Sequence, residues 1–337
     1  MVDNRDARRE VLSNWLTDSA KLQVVDLQTA SSDASFRRYF RVHTTRGPFI
    51  AMDAPPELED SEPFVRVAGW LADIGLTSPR VLAADLSQGF LLLTDLGEQV
   101  YLDVLQASPA SAAHLYRDAL RSLVTLQQGG TQYQAELPPY NSALLASEMA
   151  LFRDWLCGTH LHLEFSDADS RDWLATCDFL IETALAQPRV FVHRDYHSRN
   201  LMVCAEGNPG ILDFQDAVNG PLTYDIVSLL KDCYIRWPDG QVRAQALQYY
   251  AMVRERLPAG FDETAFMRAF DLMGVQRHLK AAGIFARLYH RDGKARYLAD
   301  IPRTLGYIVD VAADYEELGF LAALLRDRCL PALRAAA

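Results

Sequence analysis

The chain has 337 residues but only four lysines, Lys21, Lys231, Lys280 and Lys294, and a formal net charge of -11. Phosphate backbones are held by clustered basic side chains, so this excess of acid argues against a nucleic-acid partner. A locally basic pocket for one small anion is still compatible with it. The five cysteines, Cys157, Cys177, Cys204, Cys233 and Cys329, are odd in number, widely spaced and form no Cys-x-x-Cys. That pattern points away from a disulfide framework or a zinc site and towards a reducing compartment. No apolar run is long enough to span a bilayer, and the opening "MVDNRDARREVL" is charged where a signal peptide is apolar. Internal repeats and low-complexity segments are also missing. The expectation is a cytoplasmic protein that binds neither nucleic acid nor membrane and needs no obligate protein partner.

What is present is globular in composition: half the residues are hydrophobic and 23% are charged. The length exceeds one ordinary core, which predicts two lobes. After an opening helix over about Arg5–Asp18, strand signals dominate. "FRRYFRV" (36–42) alternates apolar and basic residues and pairs with "PFIAMDA" (48–54) across a "TRG" turn. A helix over 62–74 stops at Gly75, and "RVLAAD" and "GFLLLTD" give two further strands. Beyond Gly97 the periodicity turns helical, over 111–128, 142–156, 169–186, 224–234, 241–257, 264–289 and 301–326. Only "RVFVH", "NLMV" and "GILDF" read as strands there. The expected fold class is therefore α+β, with a small antiparallel-sheet lobe over 1–97 and a larger, mainly helical lobe over 98–337.

Between two of those strand-like runs lies the loop of "VFVHRDYHSRNLMV" (190–203). Phosphoryl transfer needs a carboxylate that orients a hydroxyl and accepts its proton, together with oxygen ligands for a magnesium ion. Asp195 supplies the carboxylate. Asn200, five positions on, and Asp213, at the end of "GILD", supply amide and carboxylate oxygens, the donors that Mg2+ prefers. Each of the three alone would read as a turn residue; their order and spacing together point to catalysis. His160, His162 and His197 read as ordinary residues.

The string His193-Arg194-Asp195-x-x-x-x-Asn200, followed by Asp213-Phe214, resembles the protein-kinase superfamily. The resemblance implies a protein-kinase-like two-lobe fold with ATP as the phosphoryl donor. After Asp213, however, "DFQDAVNGPLTYDIVSLL" reaches a helix within a dozen residues, and the chain has no Ala-Pro-Glu anchor. This is similar to the aminoglycoside phosphotransferase and choline kinase group, where "P-x-x-Y-D-[IL]" follows the metal aspartate. By that resemblance His193 and Asp225 are structural residues of the loop; Asp225 reads equally well as the acid of a helix N-terminus. The superfamily's strand lysine is missing, with Met52 or a neighbour in its place. Arg37 and Arg41, which share one strand face opposite Arg38, are the candidate replacements, since guanidinium also pairs with phosphate. "SSDAS" stands where a glycine-rich loop would be, which makes Ser32 and Ser35 candidate phosphate donors. The backbone at Asp95 and Leu96 in "LLLTDLG" resembles the adenine-binding hinge of such kinases.

Six stretches, among them "SDASFRRYFRV", "MDAPPE", "VHRDYHSRNLM" and "GVQRHLKAAGIFARLYHRDGKARYLADIPR", resemble the bacterial kinases that phosphorylate the anomeric hydroxyl of N-acetylmuramate and N-acetylglucosamine in cell-wall recycling. The resemblance covers about Ser32 to Arg303 and implies a small-molecule amino sugar as substrate and a sugar 1-phosphate as product. Muramate carries a lactyl carboxylate, a suitable partner for Arg194 and Arg199 beside the loop. Gln276 and Lys280 share a helix face at i,i+4 with Arg277 adjacent, and are further candidate sugar contacts, as are the rings of Tyr234 and Trp237. Two alternatives stay open on these residues: a kinase for choline, homoserine or an aminoglycoside, and a nucleotide-binding protein without catalysis.

Overall fold

The structure, a computed structural model, describes residues 4–32 and 36–336. The chain forms two compact units. One comprises Met1–Val100 and Leu201–Asp216, the other Tyr101–Asn200 and Ala217–Ala337. The contiguous division expected at Gly97 thus gives way to an interleaved one, in which a sixteen-residue segment after the 193–200 loop groups with the sheet.

The first unit opens with α1 (Asn4–Asp18) and continues through β1 (Val24–Ser32), β2 (Arg38–Thr44), β3 (Gly47–Asp53), α2 (Glu62–Asp73), β4 (Val81–Asp85) and β5 (Phe90–Thr94). The strands form one antiparallel sheet in the order β1-β2-β3-β5-β4. Period-two apolar positions decide its buried face. Phe40 and Val42 of β2, Ala51 of β3, and Phe90 and Leu92 of β5 pack with Leu12, Trp15 and Leu16 of α1. The β2–β3 turn closes at Gly47, whose φ of 111° suits glycine. Sequence periodicity did not single out β1. It is an edge strand with two register shifts and the polar residues Asp26, Gln28 and Thr29, features that blunt an edge and hide its pattern.

The second unit begins with α3 (Tyr101–Ala107), α4 (Ala112–Gly129), α5 (Ser142–Leu151), α6 (Asp167–Leu185) and β6 (Arg189–Val192). The chain then contributes the short hairpin β7 (Leu201–Met202) and β8 (Gly210–Ile211) to the first unit. Back in the second unit, β9 (Val218–Pro221) pairs antiparallel with β6. After it come α7 (Tyr224–Leu230), α8 (Asp239–Val253), the thirty-residue α9 (Glu263–Asp292), α10 (Ile301–Ala312), α11 (Gly319–Leu324) and α12 (Leu330–Ala336).

Three of the expected helices differ from the reading, the one over 224–234 by ending at Leu230. The one over 142–156 is α-helical only to Leu151 and then widens into a π-helix over Phe152–His160. The one over 301–326 breaks after Ala312. The axis of this unit is α9, whose Met267, Phe270, Met273, Leu279 and Ala286 are all buried. Among the described residues no helix is long and apolar enough to cross a membrane.

Candidate active site

Strand β6 delivers the chain to His193 from a buried Val192. The backbone then turns through Arg194, whose φ of 77° lies in the left-handed region. A non-glycine residue there is strained, and such strain persists only where the surroundings hold it. The hold comes from a buried carboxylate: Asp225, in the first turn of α7, accepts the backbone N–H of His193 at 2.7 Å and of Arg194 at 2.9 Å. Burial pushes the Asp225 carboxyl up to about 7, against those two N–H groups, which favour its ionised form.

A second buried acid, Asp232, accepts the Ser198 N–H at 3.0 Å and the Ser198 hydroxyl at 2.5 Å. Within the loop, the Asp195 N–H donates to His193 Nδ1 at 3.2 Å. The Asp195 carbonyl accepts from the His197 N–H at 3.0 Å and from Asn200 Nδ2 at 3.1 Å. Tyr196 pins the loop from beneath by donating to the Ala119 carbonyl at 2.9 Å. Both structural residues expected from sequence, His193 and Asp225, thus lie in the loop's support; Asp232 was not anticipated.

The Asp195 carboxyl lines a pocket with His197, Tyr224, Tyr234, Arg277 and Lys280. Burial alone would raise its pKa, but the charges of Lys280, His197, Arg194 and Arg277 outweigh burial and bring it down to about 2. The carboxylate is therefore ionised at any ordinary pH.

The five residues expected to touch substrate fall into three situations. Arg194, Gln276 and Lys280 converge on Glu148 of α5, a buried acid that sequence reading missed. Glu148 accepts Arg194 Nη2 at 2.5 Å, Lys280 Nζ at 3.0 Å and Gln276 Nε2 at 3.1 Å, as well as the Tyr140 hydroxyl. Burial raises the Glu148 carboxyl, yet Lys280 and Arg194 hold it below its usual value. Arg199 stacks its guanidinium over the Tyr234 ring at 3.6 Å. Arg277 donates to the Cys233 thiol at 3.5 Å, and among the described residues neither it nor Arg199 pairs with a carboxylate. Of the two aromatics, Tyr234 lines the pocket, whereas Trp237 donates to the Tyr116 hydroxyl at 2.7 Å and packs edge-on against that ring.

The first unit holds the remaining candidates. Asp213 has a left-handed φ of 61°, and its Oδ1 accepts Gln215 Nε2 at 2.8 Å. The hairpin before it is tied down by Ile211 N–H to the Thr77 carbonyl and Val203 N–H to the Gln99 carbonyl, both 2.8 Å. Phe214 packs on Phe64 of α2 with ring centroids 4.8 Å apart. Arg41 spends its donors on Asp95 at 2.7 Å, Glu98 at 2.6 Å and the Gly97 carbonyl at 2.7 Å. Asp95 in turn accepts the Gly97 N–H at 2.9 Å, which fixes the segment that contains Leu96. Arg37 is buried and pairs with Glu59 at 3.1 Å. Next to the buried Met52, Asp53 is fully buried between Arg8 and Arg38, with the Nε atoms of both at 3.0 Å. Ser35 lies outside the described residues.

The sequence profile of the phosphotransferase enzyme family matches residues 26–267. The chain belongs to that family. It is 47% identical over 333 residues to the N-acetylmuramate/N-acetylglucosamine kinase of Pseudomonas aeruginosa, covering 95% of this chain and 96% of that one. It is 41% identical to the protein of the same name from Neisseria meningitidis, with 94% and 95% covered. Among solved structures it resembles the choline kinase of Cryptosporidium parvum, with a TM-score of 0.60, 13% identity, and 96% and 99% of the chains covered. The GDP complex of aminoglycoside 2'-phosphotransferase-IIIa also gives 0.60, at 15% identity over 91% and 99%. At such identities these two establish the fold, which is the kinase-like one of this phosphotransferase family.

Proposed function

We propose that this phosphotransferase moves the γ-phosphoryl group of ATP to the anomeric 1-hydroxyl of N-acetylmuramate, N-acetylglucosamine or both. The product, a sugar 1-phosphate made in the cytoplasm, would feed peptidoglycan recycling. The observation that carries the reading is the pocket in which an ionised Asp195 stands beside Arg277, Lys280 and the ring of Tyr234. That combination suits a neutral or anionic sugar better than a polycationic aminoglycoside, which would call for acids in place of those cations. The names of the relatives point the same way.

In this mechanism the Asp195 carboxylate accepts the hydrogen bond of the C1 hydroxyl and aims its oxygen at the γ-phosphorus. The new O–P bond forms as the bridge to ADP breaks, and the hydroxyl proton passes to Asp195 and then to solvent. Asn200 and Asp213 are the proposed magnesium ligands, and their chemistry fits. Both offer hard oxygens, and Asn200 is anchored through its amide nitrogen on the Asp195 carbonyl. Bound magnesium would neutralise phosphate charge. For the nucleotide we assign Ser35, Arg37, Arg41, Asp95 and Leu96, with Arg41 serving to hold the Asp95–Glu98 segment.

The test is ATP consumption with N-acetylmuramate, N-acetylglucosamine, choline, homoserine and kanamycin, with reducing sugar measured in parallel. Phosphorylation at C1 removes the reducing end, so its loss should match ADP formed; phosphorylation elsewhere would leave it intact. Asp195→Asn should lower turnover by roughly a hundred- to ten-thousand-fold while ATP still binds. A variant keeping a tenth of the rate would remove Asp195 from the proposed role.

A further inference from the structure

Arg277 stands out among the basic groups of the pocket. It is 5% exposed, yet among the described residues its one hydrogen bond is from Nη1 to the Cys233 thiol at 3.5 Å, and its Nε has no partner. Sulfur is a weak acceptor, and a guanidinium has five donors to satisfy. Its neighbours Arg194 and Lys280 share Glu148, and no described carboxylate pairs with Arg277. Burial works against its charge, but Cys233, Tyr224 and Asp195 nearby keep it firmly protonated. A buried, charged and under-satisfied guanidinium is costly unless something else supplies the anion.

The wall around it narrows the choice of anion. Arg277 lies on one face of α9 with Ala281 and Ile284, four and seven positions on, and Phe285 closes the apolar side. An apolar wall with one fork-shaped cation suits a planar carboxylate on a short aliphatic arm, held by two parallel hydrogen bonds. Of the two sugars in the proposed function, N-acetylmuramate carries such an arm, the lactyl ether, and N-acetylglucosamine has a hydroxyl in its place. We propose that Arg277 is the receptor for the lactyl carboxylate and the residue that sets preference between the two sugars. This rests on the sugar-kinase reading and adds to it a subsite and a specificity determinant.

The experiment compares kcat/KM for both sugars in the wild-type protein, Arg277→Met and Arg277→Lys. The methionine variant should lower the ratio of N-acetylmuramate to N-acetylglucosamine efficiency by about ten- to a hundred-fold, mainly through KM, with part regained by lysine. A ratio within about twofold of wild type would overturn the proposal. So would an equal fall in kcat for both sugars, which would place Arg277 on the transferred phosphoryl group. Because a buried arginine can matter for folding, the unaltered protein is also assayed with the methyl ester of N-acetylmuramate. The ester should lose efficiency by a similar factor, and an ester used as well as the acid sinks the idea. A wild-type protein that consumes ATP with neither sugar refutes the parent reading, a failure the variant comparison cannot mimic.

Discussion

The response of Asp195 to pH follows from the company it keeps. Its pKa of about 2 results from a contest in which burial favours the neutral acid and four positive groups, Lys280 foremost, favour the carboxylate. In the proposed mechanism the carboxylate form is the active one, so kcat/KM should show no loss from this group above about pH 4. Lys280→Met removes the largest opposing charge while keeping the length of the side chain. The Asp195 pKa then rises, and the acid limb of the kcat/KM profile should move to higher pH. A limb that stays where it was would show that the ammonium does not govern Asp195. Glu148 belongs to the same account. By pairing with both Arg194 and Lys280 it holds two cations around the loop that would otherwise repel each other. The one hint of it in the sequence is an acid within the apolar helix "ALLASEMALF", which is as compatible with a solvated face as with a buried hub. Its partners Arg194, Gln276 and Lys280 lie 46, 128 and 132 positions away, beyond any local pattern.

At the scale of elements, the site depends on how α9 lies against α5. Gly283 of α9 faces the point where α5 ends, and a Cβ there would sit 2.3 Å from the Leu151 carbonyl carbon and 2.4 Å from the Phe152 nitrogen. Backbone atoms cannot rotate away as side-chain ends do, so Gly283→Ala forces the two helices apart. The expected cost is about 1–3 kcal/mol or more of stability, read as a lower urea midpoint at unchanged slope. Because Glu148 rides on α5 and Lys280 on α9, activity should fall further than stability predicts. An unchanged midpoint would mean that the helices adjust freely. This contact also marks where sequence reading of elements fails. The apolar periodicity of 142–156 continues past Leu151, yet the backbone widens into a π-helix at the crossing, a tertiary feature with no local signature. Where patterns were local and one-sided, as for β2, β3, β5 and α2, the boundaries agree within about two residues, as such assignments usually do.

For the whole molecule, spacing within 193–200 and the short run to Asp213 made the candidate loop stand out in the sequence, because a loop motif is contiguous. The units themselves were not legible, since a chain read from left to right gives no sign that residues 201–216 group with residues 1–100. That interleaving leads to the last prediction. The hairpin supplies partners for the Thr77 and Gln99 carbonyls, a backbone bridge from Met202 to Val100, and the Phe214 ring against Phe64. Residues 1–100 alone would leave these groups bare and expose an apolar face of α2. They should therefore show a broad urea transition of low cooperativity. Since Val100 and Met202 are bridged, a flexible link of about five residues is enough to append 201–216 behind residue 100. The fused polypeptide should regain a sigmoidal transition with a larger slope, reflecting the extra surface it buries. If residues 1–100 alone unfold with the same midpoint and slope as the fusion, the hairpin is an accessory. The sheet would then be the complete folding unit.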